Sequence, residues 1–484
     1  MAPRALIYGT FLLTTIIACT EDSPGSVQDS GVASTDAGEL MLQPSGWSDL
    51  IASPELEDLD PAPGVVRYNL EARVQETEVL KGAKSSLWTY NGIFSGPVIR
   101  AKKGDRLSLH FTNHLAEPTT IHWHGLKVPN NMDGAGAPVA PGQSFDYAFE
   151  LKDAGTYWYH SHQNSSAQVG FGLYGALIVE DPEDPALGDS VPLVFSDLSA
   201  AADGTIAPGN QDGRFGDYFG REGAVLLVNG KYMPKLKGRV GVPQRWRVIN
   251  AARARYLTFR VPNARVTQIG GDAGLIARPL PVDRVSLAPG ERVELYVLPT
   301  VRGAGKQDVL WEDSDRLHTG SPRASVPFMT FETTDQAPPQ RAVMPLPAAL
   351  REIQPLPTAG SAERVLEMTE TKGAQGTVLG FNGKAFSEAG PLMATVGDTE
   401  VWEIRNLTGQ DHPFHLHGFS FQITERNGAL STNREWKDTI NVPANTQLKL
   451  VLRWDDRPGM WMFHCHILDH VELGMMGMVD LMRR

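Results

Sequence analysis

The stretch His464-Cys465-His466-Ile467-Leu468-Asp469-His470, closed by Met475, decides how this chain folds. On a β-strand, successive side chains point to opposite faces. Read as extended chain, the stretch turns Cys465 to one side and both His464 and His466 to the other. A cysteine thiolate, imidazoles and a thioether form the ligand set of a blue-copper site. Cys465 and His470 can supply the thiolate and one imidazole, with Met475 as a weak axial ligand. One strand then holds a metal on each side, joined by a short covalent path that suits electron transfer.

Working outward, three further clusters carry histidine: His122-Trp123-His124-Gly125, His160-Ser161-His162, and His412-Pro413-Phe414-His415-Leu416-His417-Gly418. The chain has 13 histidines, and all but His110, His114 and His318 lie in the four clusters. A lone H-x-H is a weak signal, because two strand residues on one face are often a polar surface pair. Four such clusters, one of them enclosing one of only 2 cysteines, point to metal. His110 alternates with Leu109 and Phe111 and belongs on a solvated face. His114 reads as a turn residue and His318 as a loop residue. Trp123 and Trp158 read as core packing.

The clusters sit in a distant internal repeat. Gly104-Asp105 precedes His122 as Gly397-Asp398 precedes His415, with 18 residues from glycine to histidine in both (122 − 104 and 415 − 397). Alternating strands lie between, Arg106–Phe111 and Thr399–Ile404. Gly155-Thr156-Tyr157-Trp158-Tyr159 leads into His160 as Gly459-Met460-Trp461-Met462-Phe463 leads into His464. The middle of the chain shares the scaffold without the ligands. Ala288-Pro289-Gly290-Glu291-Arg292-Val293 resembles Ala140-Pro141-Gly142-Gln143-Ser144-Phe145, but no H-x-H follows Gly241–Ala251. Domains are expected at 45–185, 186–335 and 362–484, with a Pro-rich linker over 336–361. The Gly-rich patch Asp203–Gly223 is expected to be a loop. If the first and last domains pack face to face, eight imidazoles converge, about the number three metal ions need.

The pattern H-x-H-G, H-x-H, H-x-x-H-x-H-G, H-C-H-x-x-x-H-x-x-x-x-M resembles the four copper-binding segments of the multicopper oxidases, a family that includes laccases, bilirubin oxidases and bacterial copper-efflux oxidases. The resemblance runs from about Arg67 to the end. It implies an all-β fold of three cupredoxin-like Greek-key sandwiches. It also implies four copper ions. A type 1 copper would take His412, Cys465 and His470, with Met475 axial. A type 2 copper would take His122 and His415. The type 3 pair would take His124, His160, His162, His417, His464 and His466. Cys465 would also pass electrons onward. Asp133, in Met132-Asp133-Gly134, matches a family aspartate near the type 2 copper and is a candidate catalytic proton donor; as a plain sequence, D-G is also a turn signal. Many bacterial members carry Glu directly after the histidine matching His470. Val471 departs from that, leaving Glu472 or Asp469 as substitutes. Met475 shares its tail with Met476, Met478 and Met482. Of these, Met478 and Met482 read as core or surface residues. No methionine-rich copper-collecting insert, as in some copper-efflux oxidases, is evident.

At 484 residues the chain exceeds one ordinary core, and two to four domains are expected. The content of 48 Gly and 34 Pro with short apolar runs favours an all-β protein. A net charge of −12 without a long basic run argues against a nucleic-acid partner. Residues 1–18 read as a secretory signal: Arg4 gives a positive start, and Leu6–Ala18 is mostly apolar but too short to span a membrane. Ile16-Ile17-Ala18-Cys19 resembles the lipobox of bacterial lipoproteins, which implies lipidation at Cys19. Residues 19–44, rich in Ser, Asp, Gly and Thr, read as a flexible tether. Thr20 is not the aspartate that often retains lipoproteins at the inner membrane. The expected location is therefore the bacterial cell envelope, lipid-anchored on the periplasmic side or at the outer membrane. With Cys19 lipidated, Cys465 is the sole free thiol, and an exported protein needs a reason to keep one.

The function implied is a multicopper oxidase. It couples four one-electron oxidations at the type 1 copper to reduction of O₂ to water at a trinuclear cluster. Its donor is a phenol, an aromatic amine or a metal ion such as Cu(I), and a monomer is expected. Copper nitrite reductase shares the cupredoxin fold but lacks the eight trinuclear histidines. The alternative from another class is a non-catalytic copper-binding or structural envelope protein.

Overall fold

The computed structural model describes residues 51, 53–201, 203–206, 213–314, 316, 323–335, 345–373, 376–431 and 434–484. The leader, the tether, Cys19 and His318 lie outside them. The strands form where the sequence alternates. In Arg106–Asn113, Leu107, Leu109 and Phe111 are buried and His110 is exposed. In Thr399–Asn406, Trp402 and Ile404 are buried. Such a period of two gives each sheet one apolar face, which must be covered.

The cover is a second sheet, three times over. In the first sandwich, a sheet ordered Ala83–Tyr90, Val65–Leu80, Arg106–Asn113, Ser144–Glu150 faces one ordered Ile99–Lys102, Tyr174–Glu180, Gly155–His160, His122–His124. Between them lies a core that includes Leu107, Phe111, Trp123 and Tyr159. In the last sandwich the order repeats strand for strand. Gly376–Phe381, Ala362–Gly373, Thr399–Asn406 and Gln447–Arg453 build one sheet, extended by a hairpin. Leu392–Thr395, Met476–Met482, Gly459–Cys465, His412–Leu416 and Thr439–Val442 build the other. Its core includes Trp402, Phe414, Trp461, Cys465 and Met475. Even the direction of pairing is shared: Val65–Leu80 runs parallel to Arg106–Asn113, and Ala362–Gly373 runs parallel to Thr399–Asn406. The turns that open the equivalent strands need φ near +90°, where a side chain is strained, and glycine stands at both: Gly104 (φ 89°) and Gly397 (φ 90°). The middle sandwich packs a seven-stranded sheet on a five-stranded one around Trp246, Leu295 and Phe331.

The register sets the histidines. His122 sits opposite His160 across one strand pair, and His415 opposite His464 across the equivalent pair. The Gly-rich patch differs from expectation. It contains a short helix, Gly213–Phe219, pinned at its end by Arg221, which pairs with Asp217 and with Asp469 of the last sandwich. A long-range ion pair, absent from local composition, overrides the glycine content there.

Candidate metal centres

Eight imidazoles from four strand ends meet between the first and last sandwiches. His122 stacks on His417 with ring centroids 3.9 Å apart, and His124 on His415 at 3.8 Å. His162, His417 and His464 form one close triad; His122 groups with His415 and His417, and with His124 and His160. His466 joins the far side, its ring 4.9 Å from His124 and 5.7 Å from His160. Seven of the eight are buried, and His162 alone is partly exposed.

The proton positions follow from the partners. His122 Nδ1–H donates to the Asp133 carbonyl (2.8 Å), His160 Nδ1–H to Ser161 O (2.9 Å), His415 Nδ1–H to Asp438 O (3.0 Å) and His464 Nδ1–H to Cys465 O (2.8 Å). A carbonyl only accepts, so each Nδ1 carries the proton and each Nε2 is a bare lone pair. The Nε2 atoms of His122, His160 and His415 are buried without a hydrogen-bond partner. His124 is inverted: its Nε2–H donates to Asp438 Oδ1 (3.1 Å), leaving Nδ1 unpartnered. His417 Nε2 faces His464 Nε2 at 3.0 Å, and the Nδ1 of His417 is taken by Asp133 Oδ2 at 2.8 Å. Bare nitrogens converging in a buried space are costly unless a cation lies among them. Protonation is not the remedy. Burial, with neighbouring imidazoles, lowers His162 to about 3, and burial lowers His160 to about 3 despite its bond to Ser161.

On the opposite face of the same strand, Cys465 Sγ lies 3.5 Å from the Nδ1 of both His412 and His470. Those two nitrogens face each other at 3.1 Å. Their outer nitrogens are spoken for: His412 Nε2–H donates to Thr408 Oγ1, and His470 Nε2–H to Tyr218 O, both at 2.8 Å. So two lone pairs and a sulfur form a triangle in which the thiol alone carries a proton. Burial pushes the Cys465 thiol up to about 12, so a bound cation is what would make it a thiolate. Met475 is fully buried in the same core, and its carbonyl accepts the Cys465 N–H at 3.0 Å. Both donor sets, imidazole with thiolate and imidazole alone, fit copper.

Family profiles described as multicopper oxidase match residues 71–184 and 358–482. A multicopper oxidase of Campylobacter jejuni, described as a metallo-oxidase, is 30% identical with a TM-score of 0.83, covering 93% of this chain and 97% of its own. The chain belongs to the multicopper oxidase family. A multicopper oxidase of Staphylococcus aureus is 29% identical over 86% of this chain and 89% of its own length. A laccase of Bacillus subtilis is 28% identical over 82% and 90%. The protein is thus an oxidoreductase of cupredoxin-like domains that uses copper, O₂ and an electron donor.

The oxidase also holds residues around its histidines that sequence reading did not single out. Arg292, of the middle sandwich, forks onto Asp438 of the last, with Nη1–Oδ1 at 2.7 Å and Nη2–Oδ2 at 2.5 Å. Burial would raise the Asp438 carboxyl, but Arg292 beside it holds it well below the usual range. The ionised Asp438 in turn orients His124, and its carbonyl orients His415. Thr439 Oγ1 lies 3.0 Å from both rings. Asp272 accepts from the Arg292 N–H, and Lys437 Nζ reaches Asp272 at 3.1 Å. Gly290 lies against His466, where a Cβ would stand 2.8 Å from the ring, and its φ is +85°. The available signal was a departure within the repeat: Glu291 and Arg292 stand where the first domain has Gln143 and Ser144.

Of the other expected residues, Asp133 is buried, and burial pushes its carboxyl up to about 7. The Asp469 carboxylate is committed to Ser166 and Arg221. Glu472 lines a cavity of about 390 Å³ that opens on His162. His110 pairs with Asp146, and His114 with Glu71, on the surface. Trp123 is core; Trp158 is buried and also stacks on His160 at 4.2 Å.

Proposed function

We propose that His412, Cys465, His470 and Met475 would hold the type 1 copper, that His122 and His415 would hold the type 2 copper, and that His124, His160, His162, His417, His464 and His466 would hold the type 3 pair. The unpartnered ring nitrogens of His122, His124, His160, His415 and His466, with the close triangle of His412, Cys465 and His470, carry this reading. Bound copper supplies one-electron oxidation of the donor at the Cys465 side and four-electron reduction of O₂ to water at the histidine cluster. The chain's own part is positional. Cys465 and its two flanking histidines share one backbone, so the two sides of the strand are joined through a few covalent bonds. Asp133 Oδ2 accepts from His417 Nδ1–H, its unpartnered Oδ1 can hold a proton, and a carboxyl near 7 can release and regain that proton around neutral pH. Glu472, whose carboxyl burial raises, is a second proton holder at the cavity on His162.

For the donor, a metal ion is supported over a bulky phenol. His412 and His470 are both fully buried, and the Tyr218 carbonyl covers the His470 Nε2 edge that an aromatic donor would need to touch. The Tyr218 hydroxyl in turn donates to Glu370 at 2.7 Å. That carboxylate suits a cation. The relative described as a metallo-oxidase agrees; the Bacillus laccase is the competing reading. Steady-state oxidation of Cu(I), Fe(II), Mn(II) and a phenol panel decides it. At least one metal ion is expected to exceed every phenol in kcat/KM, and a phenol that exceeds all three metals contradicts the reading.

The enzyme is further proposed to be a monomer held in the bacterial envelope by lipid on Cys19. The support is the apolar run Leu6–Ala18 ending at that cysteine. Cys19→Ser is expected to release soluble protein or block processing. Unchanged membrane fractionation and processing contradicts the anchor.

A further inference from the structure

Six of the 14 methionines lie on one face of one sheet: Met393, Met460, Met462, Met476, Met478 and Met482. The register makes them a ladder. Met393, Asp480 and Met460 are side by side on three adjacent strands. In the next row on that face, Met478 pairs with Met462, and in the row after it Met476 pairs with His464. The opposite face of the same strands, with Trp461, Phe463, Val479 and Leu481, is the apolar core. Side chains on one face of a strand repeat about every 7 Å, and cross-strand neighbours stand about 5 Å apart. The rows therefore climb from solvent to a histidine of the trinuclear centre in two steps.

Burial follows the climb. Met393, Met460 and Met482 are 49%, 43% and 44% exposed, Met462 is 8% exposed, and His464 is fully buried. Met462 and Met476 line the cavity of about 390 Å³ that opens on His162, the one partly exposed ring of the eight. Gap-filling is the ordinary use of methionine, but it applies to buried positions. It gives no reason for thioethers in the exposed rows of a strand. A thioether is a neutral, soft donor that selects Cu(I) over Cu(II), Zn(II) or hard cations, and the Asp480 carboxylate adds one negative charge among them.

We infer that this methionine face is a Cu(I)-binding surface that passes copper through the cavity at His162 into the trinuclear centre as the enzyme is loaded. The step is ligand exchange: Cu(I)–thioether bonds break, Cu(I)–imidazole bonds form, and no electron moves. The inference rests on the assignment of the eight histidines to that centre. It also separates two loading routes, because Cys465 and the type 1 site lie on the other side of the strand.

The test strips the full-length protein of copper and reloads it without oxygen, using Cu(I) held by an excess of a chromophoric Cu(I) chelator. Wild type is compared with a Met393→Leu/Met460→Leu/Met478→Leu variant. Leucine conserves volume, so the fold is kept. Metal uptake is counted over time, and aliquots are exposed to air for the blue type 1 absorption. The variant is expected to fill the trinuclear centre about tenfold more slowly, as loss of the soft donors implies. Its type 1 loading, final copper count and fully loaded oxidase rate stay at wild-type values. The exposed single variant Met460→Leu is expected to slow in the same direction. Reloading of the triple variant at the wild-type rate overturns the proposal. A loaded wild type that binds fewer than four coppers would overturn the histidine assignment instead.

Discussion

The first and last sandwiches share a strand order, a pairing direction and a glycine turn, and among the described residues they carry every candidate ligand; the middle sandwich is built on a related scaffold and its described residues carry none. Yet the middle sandwich is not a spacer. It sends Arg292 to Asp438, Gly290 to the ring of His466, and the Tyr218 carbonyl to His470. The outer copies set which atoms can bind metal, and the ligand-free copy fixes how three of those rings stand. Orientation by a second layer of hydrogen bonds is what keeps imidazoles in one tautomer.

That division can be broken at Arg292. Arg292→Leu leaves the buried Asp438 carboxylate without its guanidinium, and removal of one partner of a buried pair costs about 3–5 kcal/mol. The expected outcome is lower stability in chemical denaturation and loss of type 2 and type 3 copper by metal count, with the blue type 1 absorption kept. Arg292→Lys retains the charge but not the fork, and should fall between. Equal loss of type 1 copper would show that Arg292 merely holds the fold.

A smaller effect is expected at Gly290. Gly290→Ala places a methyl against His466 at a positive φ, a strain of about 1–2 kcal/mol. The type 3 signature should shift while type 1 absorption stays. No spectral change would mean that the middle sandwich does not set that ring.

A third effect separates the sandwiches by pH. The buried histidines belong to the outer pair. In the folded, copper-free protein His160 and His162 lie near 3 and His470 near 4, lowered first by burial. Unfolded, each titrates near 6.5, so between pH 6.5 and about 4 the unfolded chain binds more protons. Stability is therefore whole above pH 6.5 and is lost as pH falls, by about 1.4 kcal/mol per pH unit for each such histidine. Melting of the copper-free protein from pH 8 to 5 should show Tm falling below about 6.5, and copper should enlarge the loss. A flat profile would place these rings in contact with water.

Much of this was legible in the chain because ligands and strands leave local marks. The alternation around Leu107 and Trp402, the offset from Gly104 and Gly397, and the four histidine clusters are all short-range patterns. The Arg292–Asp438 fork was not legible, since its partners are 146 residues apart (438 − 292) and each resembles an ordinary surface residue in its own segment. The helix Gly213–Phe219 was missed for the same reason, being held by Arg221 against Asp469. The methionine face lay between these cases. The spacing of Met476, Met478 and Met482 shows one face of a strand, but Met393 joins it only through the parallel pairing of Leu392–Thr395 with Met476–Met482.

In the proposed assignment, one strand carries two metal sites on opposite faces, joined at Cys465. Cys465→Ser tests it most directly, by copper count, visible absorption and O₂ uptake on the same preparation. Loss of the blue absorption and of turnover is expected, while about three coppers remain on the eight histidines, which do not depend on the thiol. A variant that stays blue, or that oxidises donors at the wild-type rate, would contradict it.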